Sequence, residues 1–292
     1  LGMIVIEFPS AWANTVEEYL YKGQQLHDHY RHHPRISTAY APHAPYTVSD
    51  SSLESIMMNA EELDLPIHMH IHETAGEVAQ SIEQYGVRPL ERLKTLGLLS
   101  PRLTAVHMTQ LNEQEISWCA ESGVHIAHCP ESNLKLASGF CPIGQLSQQG
   151  LNLTIGTDSA ASNNDLDMFA EIRQAALLAK AVAQDASAIP AHTALEMATI
   201  NAAKALGIDT ITGSLEVGKA ADIIAIDLSS LESQPCYDVV SQLVYATGRD
   251  KVSDVWVDGV QLLKDRQLTT LNKTKIIQNT HDWATKIRQS DK

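Results

Sequence analysis

The sequence predicts an α/β fold built on a parallel sheet closed as a barrel, and three observations carry that reading. Short apolar strand candidates alternate with amphipathic helical stretches through roughly the first 205 residues. That rhythm implies parallel strands joined by right-handed crossovers. Polar residues gather at the carboxyl ends of the strands, where a parallel barrel keeps its reacting groups. No G-x-G-x-x-G turn follows an early strand, which argues against a doubly wound nucleotide-binding sheet.

The elements follow in order. Strands are expected over 3–7, 36–41, 67–72, 103–107, 124–128 and 153–156, each a short run rich in apolar residues. Helices are expected between them over 16–29, 51–63, 77–85, 113–121 and 166–183. Five strand ends read APHAPYT, HIHET, VHMTQ, HCPESN and GTDSAASNN, and each offers His, Asp, Glu or Asn. From about Ile211 the pattern changes to β-rich runs separated by turn residues, GSLEVGKAADIIAID and KVSDVWVDGVQLLKDRQL, before a last helix over 273–289. The organisation is therefore a barrel segment over 1–209, a small β-unit over 210–270 and a terminal helical segment over 271–292.

With 292 residues, 44% of them hydrophobic and 19% charged, the chain can bury the core of a barrel-sized enzyme. A net charge of −14 and only 5% aromatics argue against a basic or stacking surface for nucleic acid, so a small polar or cationic ligand fits better. Cys119, Cys129, Cys141 and Cys236 show no C-x-x-C spacing and read as reduced thiols of a cytoplasmic protein. No run approaches the length of a membrane span.

HMHIHET, residues 68–74, sets three histidines at alternate positions. On a strand His68, His70 and His72 share one face at different depths, and only those near the carboxyl end reach the mouth. Glu73, at the strand-to-loop junction, is placed for proton transfer. Asp158 ends another strand; it is either a turn former or, with a histidine on a separate strand end, part of a hydrolytic metal site. His27 and His29 imitate a ligand pair, but positions i and i+2 of a helix diverge, so they are read as a surface helix end. His43, His107 and His128, each a candidate buried histidine alone, together suggest a ligand-lined mouth.

APHAPYT, HIHET, VHMTQL, SNLKLASG and GTDSAASNN, in this order and followed by GSLEVGKAAD, resemble the amidohydrolase superfamily, in particular its 5-methylthioadenosine/S-adenosylhomocysteine deaminase branch. The resemblance covers essentially the whole chain and implies a (β/α)8, TIM-like, metal-dependent hydrolase barrel with a small β-sandwich portion and a C-terminal helix. It also implies the roles. His70 and Asp158 would bind one Zn²⁺, Glu73 would shuttle protons, and His107 would hydrogen-bond the attacking water or the oxygen on the tetrahedral carbon. Asp158 would take the water's proton, and His43, Glu73 and Asp158 would contact the substrate. His68 and His72 are left to packing or support.

The family's other two metal ligands form an H-x-H on its first barrel strand, and no such motif precedes the first strand here. GMIVIEF, starting just after Leu1, is then expected to be the third strand, so that the chain carries strands three to eight of a longer protein. The implied reaction is hydrolytic deamination of an adenine nucleoside at a zinc site, with no nucleic-acid or membrane partner and with homo-oligomerisation left open. The resemblance implies arginines between the third and fourth strands for a homocysteine carboxylate; residues 8–30 contain none and offer Trp12 instead, which favours methylthioadenosine or adenosine. The alternatives are a triazine hydrolase or chlorohydrolase of the same branch and a catalytically silent fragment.

Overall fold

Strand formation follows the apolar runs. In the computed structural model, which describes residues 1–290, six strands form over Gly2–Val5 (β1), Ala39–Pro42 (β2), Ile67–Ile71 (β3), Leu103–His107 (β4), His125–His128 (β5) and Leu153–Ile155 (β6). All pair in parallel in the order β1-β2-β3-β4-β5-β6, with no reversal. Sequential parallel order is the wall of a β/α barrel; a doubly wound sheet would reverse at a switch point. The fold class expected from the sequence is the one observed.

Alternation decides which way each side chain points. In β3, Ile67, Met69 and Ile71 are buried under the helices, while His68 and His70 take the other face, where His68 is exposed and His70 half-buried. Leu53 and Ile56 from helix Asp50–Glu62, Leu90 and Leu93 from helix Pro89–Thr95, and Ile126 of β5 belong to the largest fully buried set. Each such side chain contributes about 1.5–3 kcal/mol by burial. A single helix cap contributes only about 1 kcal/mol, so packing dominates.

The caps fix where helices begin. Thr15, Ser49 and Thr74 accept from the backbone N–H three residues on, and Asn112 forms a capping box with Glu115. Helix Glu113–Ser122 ends at Gly123, whose φ of 70° suits glycine. His27 departs from expectation: it lies buried at the inner face of helix Val16–Tyr30, with Nδ1 2.8 Å from the Thr38 hydroxyl. It is a packed histidine and not part of a surface helix end.

Past residue 210 a four-stranded antiparallel sheet forms from Ile223–Ile226 (β7), Val252–Val257 (β8), Val260–Lys264 (β9) and Gln267–Leu268 (β10), in the order β10-β9-β8-β7. Between β7 and β8 a helix, Val239–Ala246, starts on an Asp238 cap. Its Val244 is buried in the main core, and Arg173 donates to the Thr247 carbonyl at 2.8 Å. This segment thus returns from the small sheet to the barrel helices. The last helix runs over Lys273–Ser290; residues 291–292 of the expected terminal segment lie outside the described residues.

Candidate active site

Five residues singled out in the sequence, His43, His70, Glu73, His107 and Asp158, line one cavity of about 360 Å³ with Tyr46, Leu136, Ser159, Ala161 and Ser162. The parallel register brings them to one level. His70 sits opposite Val106 and Ile71 opposite His107, so the third and fourth strand ends coincide. His128 sits opposite Ile155, which carries β6 on toward Asp158.

Ligand atoms of His70, His107 and Asp158 all lie within 4.8 Å of one another. Two imidazoles and a carboxylate at that spacing fit a divalent ion of the zinc type. Hydrogen bonds dictate which atoms are free. A carbonyl can only accept, so His70 donates Nδ1–H to the His43 carbonyl at 2.7 Å and turns the Nε2 lone pair inward. Ser132 and Ser162 both donate to Asp158 Oδ2, at 2.7 and 2.6 Å, leaving Oδ1 for the cavity. Burial is the largest influence on the Asp158 carboxyl and works to raise it, yet the two hydroxyls and His107 outweigh it and hold the acid below its ordinary value.

Glu73 is fixed through its peptide. Its N–H donates to Glu77 Oε2 at 2.7 Å, and its carbonyl accepts from the Thr109 hydroxyl at 2.7 Å. The Glu73 carboxylate then stands 3.8 Å from His107 Nε2. The rings of His70 and His107 stack with centroids 5.5 Å apart, and His43 meets His70 edge-on at 5.4 Å. Burial depresses the imidazolium form of both His43 and His107.

Backbone strain marks the same place. His72, His107 and Asp158 have φ of 54°, 74° and 60°. Non-glycine residues seldom occupy that region, and when they do they cluster at functional sites. The positive φ at His72 breaks the alternation that would keep it level with His70. Its ring turns into the core, fully buried, where Nε2 accepts from the Leu90 N–H at 3.1 Å and burial pushes its pKa down to about 4. His128 is likewise buried and stands outside the mouth that the sequence suggests for it.

Sequence reasoning gives no role to Ser132, Asn133 or Ser162. They lie in PESNLK and SAASNN, both visible as polar strand ends, but only the folded chain shows which atoms they serve. Ser162 is held by its loop. Lys135 donates to the Ala161 carbonyl at 2.7 Å, and the Asn163 amide bridges Glu171 at 2.6 Å and Glu131 at 2.9 Å. Burial above all pushes the Glu171 carboxyl up to about 8; the Glu131 N–H opposes this and the Glu131 carboxylate adds to it. The folded state thus holds a proton that the unfolded chain releases near 4.5. That contribution to stability is complete below the unfolded value and is lost as pH rises through about 8. Thermal unfolding followed from pH 5 to 9 should show a smaller fall in Tm for Glu171→Gln than for the parent; equal slopes would contradict the assignment.

Comparison with known proteins bears on this geometry. The sequence pattern of the Amidohydrolase family matches residues 8–262. A 5-methylthioadenosine/S-adenosylhomocysteine deaminase of Teredinibacter turnerae is 53% identical over 97% of this chain and 64% of its own length, and one of Saccharophagus degradans is 51% identical with the same coverage. The chain thus spans less than two thirds of these curated relatives. An adenosine deaminase from Xanthomonas campestris, solved with bound zinc, superposes with a TM-score of 0.97 at 55% identity over 99% of this chain and 66% of that one. A zinc-complexed atrazine chlorohydrolase from Arthrobacter aurescens gives 0.87 at 26% identity, over 94% and 62%. None of the four cysteines forms a disulfide, and among the described residues no helix is long and apolar enough to cross a membrane.

Proposed function

We propose, from the premise that this chain belongs to the amidohydrolase family, that the protein hydrolytically deaminates an adenine nucleoside, releasing ammonia and an inosine-type product. The observation that carries this is the convergence of His70, His107 and Asp158 within 4.8 Å beside the Glu73 carboxylate. The names of the relatives support the choice of substrate.

His70, through its inward Nε2, and the Asp158 carboxylate would hold a single zinc ion. When bound, zinc supplies the Lewis acidity that makes a water nucleophilic near neutral pH. Asp158 accepts the proton of the attacking water, and His107 holds that water or the oxygen it becomes through Nε2. Glu73 delivers one proton to the ring nitrogen beside the amino-bearing carbon as aromaticity is lost and a second, passed on from Asp158, to the departing amine. The hydroxyl hydrogen released as the new C=O forms recharges Glu73, so both water hydrogens end in the products. His43 is free to meet the substrate through Nε2, since its Nδ1 pairs with Thr47 Oγ1 at 3.0 Å.

In this reading residues 1–209 carry strands three to eight of the barrel, 210–270 the C-terminal part of the small sandwich and 271–292 the terminal segment, with its helix over Lys273–Ser290. The protein is a cytoplasmic enzyme of purine salvage acting on a small molecule. Trp12 in place of an arginine near the third strand favours methylthioadenosine or adenosine over S-adenosylhomocysteine. The 26%-identical chlorohydrolase keeps a triazine as the second reading. The test offers the intact protein methylthioadenosine, adenosine, S-adenosylhomocysteine and a chlorotriazine, with ammonia and chloride release followed together. The highest kcat/KM should fall on methylthioadenosine or adenosine. Chloride release without ammonia from any nucleoside would establish the triazine reading.

A further inference from the structure

A separate small cavity of about 10 Å³ has His128, Asn133, Gly139 and Cys141 in its wall, the rest of which is apolar. His128 is 3% exposed and Asn133 2%. Among the described residues no protein group hydrogen-bonds either ring nitrogen of His128 or the Nδ2 amide of Asn133. Three buried polar atoms at one cavity are costly unless water serves them, because each forfeits its solvation on folding. A cavity of this size takes about one water, and a water needs two to four polar partners. The wall is tightly built: Gly139 has φ of 134°, and a Cβ there would come 2.6 Å from Gln110 Nε2.

The other end of the Asn133 amide faces the site. Its Oδ1 stands 2.9 Å from His107 Nδ1. An amide oxygen only accepts, so with Oδ1 on this side His107 carries its proton on Nδ1 and presents a bare Nε2. The Asn133 backbone cannot swing away, because its N–H donates to the Cys129 carbonyl at 3.0 Å and its carbonyl accepts from the Ser138 N–H at 2.9 Å.

We infer that Asn133 is the positioning residue for His107. Held by a buried water that it shares with His128, its amide fixes the imidazole in the Nδ1–H tautomer with the Nε2 lone pair aimed at the cluster of His70, Asp158 and Glu73. The consequence for the reaction rests on the deaminase reading: His107 can accept a hydrogen bond from the attacking water or help hold a cation, and it donates nothing from Nε2 while neutral. The tautomer itself does not depend on that reading.

Long-range ¹⁵N–¹H spectra of the zinc-free, histidine-labelled intact protein, with His107 assigned by its loss in His107→Gln, report which ring nitrogen is protonated. The Nδ1–H pattern is expected at His107 in the parent and in Asn133→Asp, which keeps the acceptor, and a mixed or Nε2–H pattern in Asn133→Leu. Outer-shell partners of this kind are worth roughly 10–100-fold in activity. Asn133→Leu should therefore lose about that factor in kcat with little change in KM, and Asn133→Asp should recover most of it. A crystal structure should show one ordered water in reach of both His128 and Asn133 Nδ2. An Nε2–H tautomer in the parent, or a tautomer unmoved by Asn133→Leu, overturns the inference, and a dry cavity removes His128 from it. If Asn133→Leu does not fold, the parent and Asn133→Asp spectra still decide. Failure of every nucleoside to turn over, with the Nδ1–H tautomer intact, would count against the deaminase reading alone.

Discussion

Glu73→Gln is expected to retain stoichiometric zinc and to lose about 10³-fold in kcat, within the roughly 10²–10⁴ that a positioned acid–base group contributes. Three features lead to this. The Glu73 side chain lies outside the group of three candidate ligands, so its charge is not needed to hold the ion. Its peptide is clamped on both sides by Glu77 and Thr109, interactions that the glutamine leaves untouched. The amide has the same shape as the acid but cannot carry a proton from solvent or water to a ring nitrogen. A thousandfold loss corresponds to about 4 kcal/mol of barrier, far more than a lost surface hydrogen bond would cost. Zinc measured by mass spectrometry beside steady-state ammonia release separates the outcomes. A variant within tenfold of the parent rate would remove Glu73 from proton transfer, and one that loses its zinc would make it a ligand.

Much of this is legible in the sequence because barrel strands and the residues at their ends are adjacent in the chain. All six strands fall on the apolar runs, and HIHET, VHMTQ and GTDSAASNN deliver His70, Glu73, His107 and Asp158 to one cavity. Short helices are not legible. Pro89–Thr95, Pro130–Lys135, Ile143–Gln148, Ala191–Met197, Ile200–Ala205 and Val239–Ala246 are too brief for a helical period to stand out. Alternation puts His72 with His70 because it assumes extended backbone, and one positive φ voids that assumption. Asn133 and Ser132 act through space on residues 26 positions away, where no spacing rule reaches, and Ser162 serves Asp158 from four positions on within a loop that has no repeat to reveal it.

His70→Ala should lose both zinc and turnover, in contrast to Glu73→Gln. His70 is held by its hydrogen bond to the His43 carbonyl and by stacking on His107, so its Nε2 is presented without rearrangement. Alanine removes that donor atom and leaves a gap between His43 and His107 that neither ring can close, since each is tied by its own Nδ1. Asp158 keeps its two serine donors and therefore its charge, so some weak, exchangeable ion binding survives while tight binding does not. The readout is linkage as well as activity. An ion that binds only the folded state stabilises it by about 2.7 kcal/mol at a concentration about 100 times its Kd. The parent, titrated with zinc after chelation, should thus rise in Tm, and His70→Ala should barely respond at the same free zinc. Full-strength zinc binding by His70→Ala would mean that the cation sits elsewhere, and the assignment of these strand ends as a metal centre would fall with it.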